Sequence, residues 1–539
     1  MNGLMMSYQL TIHAIMRRAE SLHGRREIVS RLPDKQFHRY TYADFLHRAK
    51  QLTLALHRLG VQSGDRVATL CWNHHQHLEA YFAIPTSGGV LHTLNLRLSP
   101  DDLTYIVNHA EDKILLVDKV LLPLYERIRD RVHFQHVLVI TQDGIVPEGT
   151  LDYEQVLAAE DTRTFAYPEF DENQAAAMCY TSGTTGRPKG VVYSHRSLVL
   201  EMLSAAMPDV SNISQRDTIL PVVPMFHVNA WNLPFLATML GCKQVFPGPF
   251  LDGKSLLECF EQEQVTITAG VPTIWLAILS ELDKAPGKWK LVPGMSMTVG
   301  GSAVPESLIR NLEKHDLHVY QGWGMTETAT LGTFSRLTSE LLEVPSNEQY
   351  AARALQGRPV PFVELRVRGK DGFAPWDGKS VGELEVRGPW ISSAYYNNND
   401  EAERFTVDGW FKTGDVGSVD EYGYMKIQDR IKDVIKSGGE WISSVDLENA
   451  LMGHPSVLEA AVIAVPDPKW DERPLAVVVL KEGKTVTPQE LIEYLAPRFA
   501  KWSLPDHVVF VDAIPRASTG KFLKVALRER FRSADLENL

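Results

Sequence analysis

The chain has 539 residues, enough for roughly three or four packed units at about 100–200 residues per domain. Apolar residues make up 44% and charged residues 23%, the balance of a soluble globular chain. The net charge of 55 − 67 = −12 excludes a general nucleic-acid binder, which needs a basic face.

In chain order, residues 10–120 alternate apolar helical stretches with short strand-like runs. Tyr42 to Leu59 reads as a helix, and Arg66 to Leu70 and Lys113 to Val117 read as strands. That alternation predicts an α/β unit around a buried sheet. Residues 147–149 and 168–174 read as surface connections. An apolar run, Ala175 to Cys179, leads into a glycine-rich loop, and a helix-like run, His195 to Met207, follows, so the loop is expected to join a strand to a helical segment. Gly382 to Ile427 is strand-rich and punctuated by glycine, which predicts a small antiparallel β unit. After Asp429 the pattern becomes α+β, with helices near Ser444–Gly453 and Pro488–Phe499 and strands at Ala460–Val465 and Leu475–Leu480. A boundary near Lys432 divides the chain into residues 1–431 and 432–539, the second part large enough for its own lobe. The four cysteines form no CxxC pair, which excludes a zinc ribbon and fits a reducing, cytoplasmic setting. No apolar run approaches the ~18 residues of a membrane span, so no stable membrane insertion is expected.

The densest signal is the loop Tyr180-Thr181-Ser182-Gly183-Thr184-Thr185-Gly186-Arg187-Pro188-Lys189-Gly190. Its glycines let backbone approach an anion, its hydroxyls and amides can bond phosphate oxygens, and Lys189 adds positive charge. It is not a Walker A loop, which requires Gly-Lys-Ser/Thr after its gap. A second segment, Tyr320-Gln321-Gly322-Trp323-Gly324-Met325-Thr326-Glu327-Thr328, offers a flat apolar ring at Trp323 for a purine and a hard oxygen at Glu327 suited to Mg²⁺. A third, Trp410 to Asp415 followed by Asp429-Arg430, supplies a carboxylate for a ribose diol and a guanidinium fork.

The loop resembles the signature of the adenylate-forming superfamily of acyl-CoA synthetases, luciferases and peptide-synthetase adenylation domains. The resemblance covers nearly the whole chain and looks closest to bacterial medium- and long-chain fatty-acyl-CoA ligases and to methylmercaptopropionate ligases. It implies an α/β fold, with a large N-terminal lobe of two stacked sheets plus a small β unit, then a smaller mobile α+β C-terminal lobe hinged near Lys432. It implies AMP-forming ligation of a carboxylic acid to coenzyme A, with ATP, Mg²⁺ and coenzyme A as the small molecules and a homodimer as a compatible assembly.

Carried over residue by residue, the resemblance assigns Thr181, Ser182, Gly183, Thr184, Thr185, Gly186 and Lys189 to the phosphates. Gly301, Ser302, Ala303, Gln321, Gly322, Trp323, Gly324, Met325 and Thr326 would line the nucleotide and acyl pockets. Glu327, with Thr181, would hold the metal, and Asp415 and Arg430 would hold the ribose. Lys521, in Ile514-Pro515-Arg516-Ala517-Ser518-Thr519-Gly520-Lys521, matches the adenylation lysine. Lys436, Gly438, Gly439 and Trp441 fall on the segment that borders the pantetheine tunnel after the small lobe rotates. Taken singly, Lys436 reads as a charged residue in a loop after a strand. His227 matches a histidine that helps close the acyl site, and Trp231 matches an aromatic gate to the acyl tunnel. Phe226, Trp231, Val271, Trp275 and Met325 suggest an apolar acyl pocket. Asn95-Leu96-Arg97 departs from the Asn-Pro-Arg of relatives and is assigned no role, and His74, His75 and His77 fit no standard zinc spacing. The expected acid is a medium-chain fatty acid, then a long-chain one, then a short thioether acid such as methylmercaptopropionate. The competing readings are a luciferase-like or carrier-loading adenylation enzyme and, from another class, a non-catalytic acyl- or nucleotide-binding protein.

Overall fold

A computed structural model describes residues 1, 3–181, 187–398, 402–438, 440–516 and 521–531. Within these residues, β-branched and apolar runs form a seven-stranded sheet in the order Leu151–Asp152, His136–Ile140, Asp112–Asp118, Arg66–Leu70, Val90–Thr93, Ala175–Tyr180, Gly190–Ser194. Its pairs are parallel except the last. Buried parallel strands need apolar residues on both faces, and Arg66–Leu70 and Val90–Thr93 are nearly all buried.

A second, nine-stranded sheet runs Arg358–Pro359, Thr333–Phe334, Leu317–Trp323, Met295–Val299, Ile267–Gly270, Thr218–Pro221, Lys243–Phe246, Glu27–Arg31, Phe37–Thr41. The six strands from Leu317–Trp323 to Glu27–Arg31 are parallel. One core joins Leu91, Leu116 and Ala177 of the first sheet to Ile219, Ile267 and Ala269 of the second. Between them lies the helix His75–Thr86, buried at every residue but Gln76, its one buried carboxylate, Glu79, paired with Arg48 at 2.7 Å. Thr41 and Asp44 close a capping box that starts the helix Tyr42–Arg58.

The small β unit begins earlier than the glycine pattern suggested. Five antiparallel strands, Glu364–Gly369, Gly372–Phe373, Gly382–Arg387, Phe411–Val419 and Met425–Arg430, form it. The charged alternation Glu364-Leu365-Arg366-Val367-Arg368 is a half-exposed strand whose polar face hid its period. Beyond it, Ile435–Ser437, Glu440–Ile442, Val457–Asp467, Asp471–Leu480 and His507–Phe510 make a further sheet, packed by the helices Ser444–Met452 and Pro488–Leu495. The last helix, Lys524–Phe531, adds Leu527 and Phe531 to a second core on the other face of that sheet.

The phosphate loop is where local expectation and structure part. It joins Ala175–Tyr180 not to a helix but to the antiparallel strand Gly190–Ser194, and the helix His195–Ala205 starts only afterwards. Val191, Val192 and Tyr193 favour the pleated backbone, and Ser194 then caps the helix by accepting from the Ser197 N–H. No described helix is long and apolar enough to cross a membrane.

Candidate active site

The parallel strands of the nine-stranded sheet end on one side, and a cavity of about 1110 Å³ opens there. Ligands of open α/β sheets collect beyond the carboxyl ends of the strands. Four of the six parallel strands contribute to it: Val222, Val223, Pro224 and Phe226 to Val228 after Thr218–Pro221, Gly270 and Val271 from Ile267–Gly270, Gly300 to Ala303 after Met295–Val299, and Gln321 to Glu327 from Leu317–Trp323. The antiparallel unit adds Asp415 and Arg430, and the C-terminal segment adds Lys521.

The base of the phosphate loop is tied shut. Thr181 N–H donates to the Lys189 carbonyl at 2.9 Å, and Lys189 N–H donates to Thr181 Oγ1 at 3.1 Å. The Lys189 ammonium lies 5.3 Å from the Tyr395 ring centre, and the Tyr395 hydroxyl donates to Glu327 Oε1 at 2.6 Å. Thr181, Lys189, Tyr395 and Glu327 therefore face the same end of the cavity. Ser182, Gly183, Thr184, Thr185, Gly186 and Gly439 lie outside the described residues.

Asp415 is held from two sides. Trp323 Nε1 donates to Oδ2 at 2.9 Å, and Arg430 Nε lies 2.5 Å from Oδ1. A carboxylate has about four lone-pair sites, so Asp415 keeps acceptor capacity for a ribose diol. Gln321 accepts from the Val304 N–H at 3.0 Å, while its buried amide nitrogen has no partner among the described residues. That orphaned donor in the cavity wall suits an acceptor on a ligand.

Lys521 completes the polar end. Burial pushes its ammonium down to about 8, Arg430 adds to the fall, and Asp415 and Glu327 oppose it. Its Cε would stand 4.0 Å from a Cβ built on Gly301, which has φ +85° and needs the freedom of glycine. Burial also brings His227 down to about 4, with Lys521 and then Arg97 adding to the effect, so the imidazole is neutral at pH 7. Arg97, which the sequence left without a role, lines the cavity with its guanidinium 6.0 Å from the Phe226 ring centre.

Phe226, Trp231, Val271 and Met325, expected on the acyl side, line the cavity, as do Ser302, Ala303, Gly322, Gly324 and Thr326. Trp275 does not. It is wholly buried in a separate core, with its ring against Gly270, because its helix turns that face away from the cavity. The segment bearing Trp231 is unusual: Val228, Asn229, Ala230, Trp231 and Asn232 all have φ between 36° and 55°. A left-handed turn of non-glycine residues costs about 1–2 kcal/mol per residue. Lys436, Gly438 and Trp441 are exposed on the hairpin Ile435–Ile442 and do not line the cavity. The buried trio Cys71, His74 and Asp118 groups three ligand-type atoms. Yet His74 Nδ1 accepts from the His77 N–H and Nε2 donates to Asp118, so the imidazole is already spent on capping the helix His75–Thr86.

Comparison with known proteins accords with this geometry. The model of the AMP-binding enzyme family matches residues 16–396, and that of the AMP-binding enzyme C-terminal domain matches residues 446–521. The chain belongs to the AMP-binding enzyme family. It is 53% identical over 534 residues to a long-chain-fatty-acid–CoA ligase of Thermus thermophilus, covering 98% of this chain and 97% of that one. It is 44% identical over 541 residues to a 3-methylmercaptopropionyl-CoA ligase of Ruegeria lacuscaerulensis, with 99% of each chain covered. Among solved structures, the ATP-bound MatB of Rhodopseudomonas palustris superposes with a TM-score of 0.82 at 26% identity, covering 98% of this chain and 99% of that one. A fatty acyl CoA synthetase of Mycobacterium tuberculosis gives 0.70 at 29%, covering 97% and 98%.

Proposed function

We propose that the protein is an AMP-forming acyl-CoA ligase that activates a medium- to long-chain fatty acid. The observation that carries this is one cavity in which Lys521, Glu327, Asp415 and Arg430 face Phe226, Trp231 and Val271. A polar end for a nucleotide meets an apolar end for an acyl chain. The likeness to ligases of long-chain fatty acids and of 3-methylmercaptopropionate supports the class, and the higher identity favours the fatty acid.

A carboxylate is already ionised at neutral pH, so the first step needs no base. Its oxygen attacks the α-phosphorus of ATP, the bond to the bridging oxygen breaks, and pyrophosphate leaves. Both reactants are anionic, so positioning and charge neutralisation supply most of the catalysis. Lys521 bridges the acid carboxylate and the α-phosphate. Lys189 and the loop closed by Thr181 hold the outer phosphates. Trp323 flanks the adenine and Asp415 and Arg430 hold the ribose. Neutral His227 closes the acyl side without adding a competing positive charge. The buried Glu327 carboxylate and the half-buried Thr181 hydroxyl, both in the cavity wall, would suit Mg²⁺, which would offset charge building on pyrophosphate.

In the second step the coenzyme A thiol gives its proton to solvent, the thiolate sulfur attacks the acyl carbon, the bond from that carbon to the phosphate oxygen breaks, and AMP leaves with the electron pair. Residues 432–539 act as a mobile lobe that turns about Lys432, withdrawing Lys521 and bringing in Lys436, Gly438, Gly439 and Trp441. The exposure of that hairpin here supports an orientation suited to the first step. The buried cysteines fit a cytoplasmic enzyme, and a homodimer is the assembly that light scattering should detect.

Acid-dependent exchange of labelled pyrophosphate into ATP, without coenzyme A, tests the reading. Exchange driven by octanoate to palmitate supports it. Exchange driven by methylmercaptopropionate alone would move the assignment to the short thioether acids, and none with any acid would refute it.

A further inference from the structure

A carboxyl sits where an acyl cavity has little use for one. Glu201, on the helix His195–Ala205, is 1% exposed and lines the cavity beside Ala205 and Ile213. Its partners are both neutral: Asn232 Nδ2 lies 2.8 Å from Oε2, and Thr330 Oγ1 lies 3.4 Å from Oε1. A buried carboxylate without a cation is costly, so the group is held as the neutral acid, with burial raising it to about 8.

The two partners matter more than the burial. Asn232 ends the left-handed turn that carries Trp231, and its amide also donates to the Ala329 carbonyl at 3.1 Å. Ala329 and Thr330 are themselves left-handed, with φ 44° and 93°, and they close the loop that begins at Trp323. Two strained backbone segments, one on the acyl side and one on the nucleotide side, thus converge on one side chain. Trp231 is the residue they place. Its ring would stand 3.0 Å from a Cβ on Gly300, next to the Gly301 that faces Lys521. A ring set between the reacting end and the apolar interior fixes how a chain enters.

Given the acyl-CoA ligase reading above, we infer that Glu201 is a specificity-determining residue: through Asn232 and Thr330 it fixes the turn bearing Trp231, and with it the acid the cavity accepts. Acting through other residues, it is a positioning group and not a catalytic one. A structural carboxyl of no such consequence would affect folding alone.

The test measures KM for a series of straight-chain acids, KM for ATP and kcat in E201Q, E201D and E201L. Gln keeps the shape and both hydrogen bonds, Asp withdraws the carboxyl by one methylene, and Leu removes it. The expected result is E201Q near wild type, while E201D and E201L raise KM for the preferred acid roughly tenfold and shift the preferred chain length, the scale of a lost buried hydrogen bond. KM for ATP stays unchanged. E201L or E201D with wild-type acid KM and chain-length profile overturns the inference, as does E201Q as impaired as E201L, or an equal rise in KM for ATP. Should E201L fail to fold, E201D decides. Should the wild-type enzyme release no AMP with any acid, the ligase reading fails instead, and calorimetric binding of the same acids to the same variants decides the role of Glu201.

Discussion

Lys521 loses its proton earlier than a solvated lysine because burial and Arg430 both oppose its charge. The bridging role proposed for it needs that charge. Adenylation by the unliganded enzyme should therefore fall as pH rises through about 8, and Lys521→Arg, which stays protonated, should carry what activity it keeps to higher pH. Pyrophosphate exchange against pH checks this; an unchanged alkaline limb in the Arg variant would contradict it. Glu201 gives a second prediction, with the opposite group chemistry. Its unfolded carboxyl titrates near 4.5 and its folded one near 8, so over that window the unfolded state sheds a proton that the fold retains, and stability is lost as pH rises. The Tm advantage of Glu201→Gln should grow from pH 4.5 to 8 and level off beyond; a constant difference would refute the neutral carboxyl. Glu327 and Asp415 stood out in glycine-bearing motifs, while Arg430 and Lys521, each a surface charge when read alone, were legible only through the family resemblance that those motifs carry. Glu201 was not. It sits in Leu198-Val199-Leu200-Glu201, where nothing local separates a solvated glutamate from a buried one. Trp275 erred the other way, since an apolar ring near a pocket motif carries no sign of which core it enters.

At the scale of elements, the buried strands Arg66–Leu70 and Asp112–Asp118 fall where their mostly apolar runs placed them. Elements with one wet face were less legible. The strand Glu364–Gly369 carries charges at alternate positions, and the hairpin Ile435–Ile442, with Lys436 and Glu440 around two glycines, read as a loop. The left-handed turn at Val228–Asn232 left only its two asparagines as a trace, because Val228, Ala230 and Trp231 do not favour that region and tertiary contacts must hold them there. Those contacts are testable. Asn232→Ala removes the donor to Glu201 and Ala329 and puts a poorly suited residue at φ +55°. Denaturant unfolding should show a loss of about 2 kcal/mol, and acid KM should rise while ATP KM holds. A loss of stability with no change in acid KM would separate the turn from selectivity.

At the scale of the molecule, two chemistries at one carbonyl require two arrangements of the residues around it. Lys521 occupies the cavity while Lys436 and Trp441 stand exposed outside it. Partial desolvation lowers the Lys432 ammonium against the opposing Asp433 carboxylate, Arg430 adds to the fall, and next to it Arg528 Nη2 lies 2.7 Å from Asp433 Oδ1. Fixing φ at that point with Lys432→Pro should spare acid-dependent pyrophosphate exchange and slow thioester formation from supplied acyl-adenylate by at least about tenfold. Equal rates in both half-reactions would place the hinge elsewhere. The central claim, acyl transfer to coenzyme A through an adenylate, has its most direct test in the products. The protein would be incubated with ATP, Mg²⁺, coenzyme A and each straight-chain acid from acetate to palmitate, with methylmercaptopropionate included, and AMP and thioester quantified by mass spectrometry. One AMP per acyl-CoA is expected, with a peak at a medium or long chain. ADP in place of AMP, or AMP without thioester from any acid, would contradict it.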